Sequence, residues 1–385
     1  MSVRWPERAR VGPFRAGAFT SPLHDERTAA ILGVALGVAF TTCFATGLLS
    51  HLIQHPPGWF TWPSRPAGLY RITQGLHVAT GIAAVPLLLG KLWTVYPRLF
   101  TWPPVRHPGH ALERLSLLFL VGGAVFMLFS GVANIDQWYP WGFFFPAGHY
   151  WGAWITIGAL VVHVGAKAGI TRSALFGPRV EAARAGDGLT RRGFLGALAA
   201  AAGVLTLTTA GQTVSPLRRL TLLSPRRPDI GPQGLPVNKS AAAAGVLEAA
   251  RDPAYRLVVA GAVDRPMSLA LDDLRALPQH EVTLPIACVE GWSASARWKG
   301  VRMADVLARA GARPGARVRV ESLQPRGRYR AADVSDDHAR DADTLLALEL
   351  NGEPLALDHG YPVRLIGPNR PGVLQTKWIS RLTVT

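Results

Sequence analysis

At 385 residues, with 49% hydrophobic and 17% charged residues, the chain is long enough for two or three domains, and its apolar content is concentrated towards the N-terminal half. A formal net charge of +16 could point to nucleic acid, but the placement of that charge excludes it. Arginines gather at Arg4, Arg8, Arg10 and Arg15, across 98–114 and across 167–192. These are the flanks of apolar segments, where a cytoplasmic excess of Lys and Arg fixes membrane orientation.

Five segments are long and apolar enough to cross a bilayer, which takes about 20 residues. They are 28–52, 72–93, 115–135, 151–168 and 194–214. Loops 94–114 and 169–193 are basic, whereas 136–150 carries no Lys or Arg and is rich in interfacial aromatics. Loop 53–71 holds only Arg65 and Arg71 beside Trp59 and Trp62. The alternation predicts an integral membrane protein, and the resemblances given below imply a bacterial cytoplasmic membrane. Its parts are a cytoplasmic N-terminus (1–27), a four-helix transmembrane bundle (28–170), a cytoplasmic basic loop (171–193) and a fifth transmembrane helix (194–214), with everything beyond on the extracytoplasmic side. The fifth segment is Ala/Gly/Thr-rich and follows Thr190-Arg191-Arg192-Gly193-Phe194-Leu195. That string resembles a twin-arginine export signal placed internally, the route that carries domains already folded around a cofactor. The alternative is a positive cluster before an ordinary helix.

Residues 215–237 are rich in Pro, Arg and Gly and read as an extended linker. From 238 to 385 the pattern is that of an α+β domain, with β-rich runs at 255–259, 317–321, 362–366 and 377–385 and helical pieces at 269–276 and 303–310.

Ionisable side chains within spanning helices are costly and mark functional sites by default. His77 lies about two turns into the second span; His149 opens the fourth, and His163 lies in its inner half. The spacing from His149 to His163 is close to four helical turns, so both face one side, about 21 Å apart. The pattern resembles the bacterial cytochrome b561 and formate-dehydrogenase b-subunit families, four-helix haem bundles that exchange electrons with quinone. The resemblance implies a haem b whose iron is held by His77 and His149, imidazole being a standard axial ligand. A second haem would use His163 and a partner near the cytoplasmic end of the first span. There the stretch Glu26-Arg-Thr-Ala-Ala-Ile-Leu-Gly33 offers none; His24 lies just outside it and His110 precedes the third span. His51 and His55 are reserve candidates at the outer end of the first span.

Of two cysteines, Cys43 sits mid-way along an apolar run, so a disulfide would have to join a membrane interior to the soluble domain. Cys288 is then a free thiol, either a small buried hydrophobe or a ligand. The string Cys288-Val-Glu-Gly-Trp-Ser-Ala-Ser-Ala-Arg-Trp-Lys-Gly300 resembles the molybdenum-binding segment of the sulfite oxidase superfamily. It is most similar to the branch of the periplasmic protein-methionine-sulfoxide reductase catalytic subunit. A second segment agrees: His359-Gly-Tyr-Pro-Val-Arg-Leu-Ile-Gly-Pro368, followed by Gly372 and Lys377-Trp378. The resemblance implies a single molybdenum-pyranopterin cofactor, with Cys288 as the catalytic metal ligand and His359, Arg364 and Lys377 on the pterin and its phosphate. Asn238 is matched to a pterin contact, and Ser322 to a place near the metal. A soft thiolate suits such a metal; Arg offers a fork to phosphate and Lys a point charge. Gly300 and Gly372 read as close backbone approaches, and Glu290 and Trp292 as pocket-shaping or packing residues.

Together these readings predict a multi-domain membrane protein: an all-α transmembrane bundle of four helices plus an anchor, and an α+β sulfite-oxidase-type molybdopterin-binding domain. Quinol from the membrane pool would be oxidised in the haem bundle. A sulfoxide or N-oxide-like substrate, small or protein-bound, would be reduced outside the membrane. Two alternatives stand beside it: a sulfite-type oxidase feeding quinone, and a haem-bearing membrane receptor whose C-terminal domain only binds a ligand. Lipid and quinone are the expected partners, and nucleic acid is not.

Overall fold

The computed structural model describes residues 12–14, 18–100, 105, 107–178, 189–211, 214–227 and 230–385. Arg4, Arg8, Arg10 and Arg15, and residues 179–188 of the basic loop, lie outside the described residues. The chain forms two compact units: Met1–Leu48 with Leu76–Leu207, and Leu49–Gly75 with Thr208–Thr385.

The long helices are α1 (Glu26–Gln54), α2 (Leu69–Val95), α3 (Pro108–Asp136), α4 (Phe145–Phe176) and α5 (Arg191–Ala210). All five are long and apolar enough to cross a membrane, which is compatible with a membrane bundle. The first four overrun the expected apolar stretches at both ends; at the N-terminal end, polar residues and proline are tolerated in a first turn. In α3, Pro108 opens the helix, and the His107 side chain caps it by accepting from the His110 N–H. The fifth ends at Ala210, short of the expected 214. Within this first unit the core is slight: Leu36, Ala39, Ala84, Leu88 and Ala124, packed by Phe40 and Leu128. Small residues let the backbones approach: Gly123 of α3 faces the Thr156 side chain of α4. Large apolar side chains such as Leu118, Phe119, Val161 and Val162 face outward, as lipid-facing surface would.

Among its described residues the second unit carries two sheets and five short α-helices: α6 (Ala241–Ala244), α7 (Leu247–Arg251), α8 (Leu271–Ala276), α9 (Met303–Ala310) and α10 (Asp336–Arg340). One sheet runs in the order β2 (Met267–Ala270), β1 (Arg256–Gly261), β10 (Ile379–Val384), β5 (Val318–Ser322), β6 (Ala331–Val334). Only its β1–β10 pair is parallel. The other runs β3 (His280–Ala287), β4 (Ser293–Arg302), β7 (Leu345–Leu350), β8 (Glu353–Pro354), with β9 (Arg364–Ile366) also paired to β7. The main core gathers Leu257, Val306, Val320, Leu346, Leu365 and Leu382. α9 buries Met303, Val306, Leu307 and Ala310, the helical spacing of a one-sided apolar stripe.

Two close approaches expected from sequence are present. A Cβ at Gly300 would collide with the Leu346 carbonyl, where β4 and β7 shift register. One at Gly372 would press within 3.2 Å of the Ala287 carbonyl. The stretch expected as an extended linker is instead partly folded. It contains a 3-10 turn at Ser215–Leu220. Gln233 donates to the carbonyls of Leu350 (3.2 Å) and Pro354 (2.9 Å) and accepts from the Ala356 N–H (2.9 Å). Satisfying both ends of one amide in this way fastens the segment to the domain.

Candidate molybdenum and histidine sites

Cys288 sits in the turn between β3 and β4. The turn closes through Cys288 N–H to the Trp292 carbonyl (2.9 Å), with Gly291 at a φ of 88°, a backbone region that glycine enters freely. The thiol is buried, 1% exposed. Asn238 Nδ2 donates to its Sγ at 2.8 Å and the Glu290 N–H at 3.4 Å. Burial pushes the thiol well above its ordinary pKa, and the Glu290 carboxylate adds to that; the two donors and Arg226 pull the other way. A soft metal bound at sulfur would hold the thiolate.

Beside it lies a cavity of about 180 Å³ whose walls include Asn238, Trp292, Tyr329, His359, Arg364 and Lys377. Trp378 and Thr376 also border it. Arg364, on β9, is 5% exposed; its Nη1 donates to the His359 carbonyl (3.1 Å) and its guanidinium lies 5.2 Å from the Trp298 ring centre. Burial lowers its pKa to about 10. Lys377 Nζ donates to the carbonyls of Asp358 (2.7 Å) and Lys239 (2.9 Å). Burial, then the Arg364 charge, lowers it to about 7. His359 gives its Nε2 proton to the Pro232 carbonyl (2.8 Å), and burial with the Arg364 charge lowers it to about 4, so it is neutral at neutral pH.

The fit to an anionic, hydrogen-bonding cofactor shows in the atoms left over. Arg364 Nε, Asn238 Oδ1, Thr376 Oγ1 and Trp292 Nε1 are all buried, all belong to cavity-lining residues, and have no hydrogen-bond partner among the described residues. Such atoms are expensive unless something completes them. A pterin edge and a phosphate supply the complementary acceptors and donors.

Of the residues expected here, Cys288, Asn238, His359, Arg364 and Lys377 come together. Ser322 stands one step back: its hydroxyl donates to the Lys377 carbonyl (2.8 Å) and accepts from the Gln324 N–H (3.2 Å). It braces the segment that carries Lys377 into β10 and does not line the cavity. Tyr329, Gln324 and Thr376 line the wall and were not anticipated. Tyr329 had a signal in Arg326-Gly-Arg-Tyr-Arg330, a basic turn with one aromatic, whereas Thr376 had none.

In the first unit, His77 of α2 and His149 of α4 face each other, ring centres 6.4 Å apart and planes at 71°. Two imidazoles bonded at about 2 Å to one metal have ring centres about 6 Å apart. Each ring is oriented through Nδ1: His77 to the Cys43 carbonyl (2.9 Å) and Thr46 hydroxyl (3.2 Å), His149 to the Ser130 hydroxyl (3.0 Å). These Nδ1 contacts fix the orientation of each ring. Gly47 and Gly131 lie against the two rings. His163 stands four turns further along α4, about 21 Å from His149, and takes no part in this pair. His51 and His55 stack on one another at 4.8 Å. Among the described residues no group of three or more His, Cys, Asp or Glu converges.

Comparison with known proteins accords with the C-terminal geometry. Residues 244–385 match the family model described as oxidoreductase molybdopterin binding domain. Mitochondrial sulfite oxidase of Rattus norvegicus is 39% identical over 157 residues, covering 34% of this chain and 29% of that protein. The sulfite oxidase of Arabidopsis thaliana is 31% identical over 163 residues, covering 34% and 42%. An uncharacterized oxidoreductase of Bacillus subtilis, YuiH, is 34% identical over 132 residues, covering 34% and 65%. The chain thus spans under a third of the length of the mammalian sulfite oxidases it matches. The sulfane dehydrogenase SoxCD from Paracoccus pantotrophus aligns at 24% identity and a TM-score of 0.33, over 41% of this chain and 46% of that one. The C-terminal domain is accordingly a molybdopterin-binding oxidoreductase domain of the sulfite oxidase superfamily, and the cofactor it is built for is molybdenum-molybdopterin.

The Lys377 shift sets a pH dependence. Its charged form is disfavoured in the fold, so cofactor-free protein carries that penalty in full below pH about 7 and sheds it as pH rises towards 10.5, where the unfolded chain binds more protons. Thermal unfolding of cofactor-free protein should therefore show stability rising from pH 7 to about 9, above which the raised Cys288 thiol works in the opposite sense, and Lys377→Gln should flatten the rise.

Proposed function

We propose that the protein is a membrane-bound molybdenum oxidoreductase, linked to quinol through a haem b held by His77 and His149. It would take an oxygen atom from a sulfoxide or N-oxide-like substrate on the extracytoplasmic side. The observation that carries the molybdenum half is the buried Cys288 thiol, held by two donors beside a cationic cavity with unpartnered polar atoms. For the haem half it is the facing, Nδ1-anchored imidazole pair.

When bound, the cofactor supplies reversible oxygen-atom exchange at a metal that cycles through two electrons. Cys288 contributes the sulfur that joins the cofactor to the chain, and Asn238 and the Glu290 N–H hold that sulfur in place. Arg364 and Lys377 bind negative charge, Arg364 through a fork and Lys377 as a point charge. Neutral His359 keeps Nδ1 as a hydrogen-bond acceptor for the pterin. Trp292 and Trp298 exclude water from the thiol side. The Tyr329 hydroxyl, whose pKa is raised by burial, stays protonated at neutral pH; its proton goes to Gln54 Oε1, and its oxygen keeps lone pairs for a donor in the cavity.

A second reading, oxidation of a sulfite-like substrate with electrons passed to quinone, is favoured by the sulfite oxidases among the relatives. Assays of the purified protein with quinol plus sulfoxide, and with quinone plus sulfite, separate the two directions.

The molybdenum reading predicts about one molybdenum per chain by elemental analysis, and loss of activity in Cys288→Ser, whose harder oxygen is a poor substitute. Full activity in that variant would defeat it. A low-spin b-type haem spectrum is expected of the membrane fraction, disappearing in His77→Ala and in His149→Ala. A wild-type spectrum in either variant means the ligands lie elsewhere.

Topology gives a separate test. Replacing Arg191 and Arg192 by Lys keeps the positive charge that fixes orientation but removes a twin-arginine signal. Protease added to spheroplasts should digest the C-terminal domain of the wild type and spare that of the double variant. Equal digestion argues against twin-arginine export, and protection of the wild type against an outward-facing domain.

A further inference from the structure

The segment Leu49–Gly75, the end of α1, the loop after it and the start of α2, belongs to the same compact unit as the molybdopterin domain. Its attachment centres on one residue. Asn369, 2% exposed, directs every polar group it has to this strap. Its N–H donates to the Ala67 carbonyl (3.0 Å) and its Nδ2 to the Pro63 carbonyl (2.7 Å). Its carbonyl accepts from Trp62 Nε1 (2.9 Å), and its Oδ1 from the Tyr70 N–H (2.7 Å). The last bond is a helix cap supplied from a distant part of the chain. α2 begins at Leu69, its first N–H groups have no partner within the helix, and an Asn oxygen is a favoured acceptor for them.

Asn369 is itself braced against the thiol. It lies in the loop 367–372, whose Pro371 bridges to Ala287, the residue before Cys288. The side-chain amide of Gln375 ties that loop through two bonds to Gly367, both 2.9 Å. The strap meets the same wall directly, for Tyr70 and Ile53 bury themselves with Ala287. It also reaches the far wall: Gln54 Oε1 accepts from the hydroxyl of cavity-lining Tyr329 (3.4 Å). Tyr70 and Gln54 are linked through Ser50, whose hydroxyl lies 3.0 Å from the Tyr70 hydroxyl and 3.1 Å from Gln54 Nε2. At the rim Arg65 forks onto Asp341 (2.8 and 2.9 Å) and reaches Asp343.

We propose that Leu49–Gly75 is a built-in docking element of the molybdopterin domain, gripped by Asn369, and that Tyr70 and Gln54 thereby hold the Ala287–Cys288 and Tyr329 walls in the arrangement electron entry requires. The claim about electron entry rests on the haem–molybdenum reading above; the claim about docking does not. Asn369 and Tyr70 are positioning residues, since neither lines the cavity.

The test uses the full-length purified protein and Asn369→Gly. Asn369 has a φ of 54°, a region glycine adopts without strain, so the change keeps the backbone conformation and removes the two side-chain bonds. Expected are at least tenfold faster hydrogen exchange over residues 66–71, unchanged molybdenum content and unchanged turnover with a reduced viologen dye. Quinol-driven turnover should fall at least tenfold. Unchanged exchange would overturn the docking role. Faster exchange with quinol-driven turnover intact, or an equal fall with dye and quinol, would overturn the electron-entry role. If the wild type proves to lack haem or molybdenum, the functional reading fails and the exchange measurement alone still decides the docking claim. Arg65→Gln, a milder change at the rim, should move the same readouts in the same direction by two- to threefold, and serves if Asn369→Gly does not accumulate.

Discussion

The C-terminal unit is organised around a thiol buried next to cations that the fold also keeps from water. Burial acts on both in opposite senses: it raises Cys288 and lowers Lys377, Arg364 and His359. Taken singly, each is a cost to the fold. Together they describe a receptor for one kind of partner, one that carries a soft metal for the sulfur and negative charge for the guanidinium and ammonium. Binding such a partner opposes the shifts of the thiol, the guanidinium and the ammonium at once, so cofactor and fold stabilise each other, as metals and their sites do generally.

The scaffold that sustains this arrangement is the β3–β4 hairpin with β9 laid across β7. The hairpin turn presents Cys288; β9 presents Arg364; the chain entering β10 presents Lys377. Each side chain is held by a hydrogen bond: Cys288 accepts from Asn238, fifty residues earlier, Arg364 donates to the His359 carbonyl and Lys377 to the Asp358 carbonyl. Close backbone contact at Gly300 and Gly372 keeps these strands near enough for the bonds to form. The rigidity is local and dense, as a preorganised site needs.

Legibility in the sequence followed the strength of the local signal. Apolar length located five helices, and a one-sided stripe located α9 at Met303–Ala310 to the residue. The hairpin strands β3 and β4 and the buried strand β7 passed unread. In β4, Ser293-Ala-Ser-Ala-Arg-Trp-Lys-Gly300 has little β-branching, and Leu345–Leu350 is an apolar run that periodicity cannot assign to strand or helix. The cofactor-facing residues were legible because two motifs fixed them in order. Thr376 and Asn369 were not, since their roles are created by tertiary partners: an unpaired hydroxyl at a cavity wall, and an amide that caps a helix almost 300 positions earlier in the chain. No local pattern encodes either.

The strap shows why a single chain can rely on a modest contact surface. Hydrogen bonds add about 1 kcal/mol each to net stability, and an exposed ion pair such as Arg65 with Asp341 and Asp343 adds less. As the interface of two separate proteins, so few bonds would not overcome the loss of translational and rotational freedom. Within one chain, α1, α2 and α5 tether the strap and the domain covalently, and the contact then forms against an effective concentration in the millimolar range. Under that condition directional bonds matter more than area, because they select one geometry among those the tether allows. An asparagine that answers four groups of the strap is suited to that selection. A larger apolar patch would bind more strongly but would specify the register of the strap less sharply, and register is what aligns Tyr70 with Ala287 and Gln54 with Tyr329.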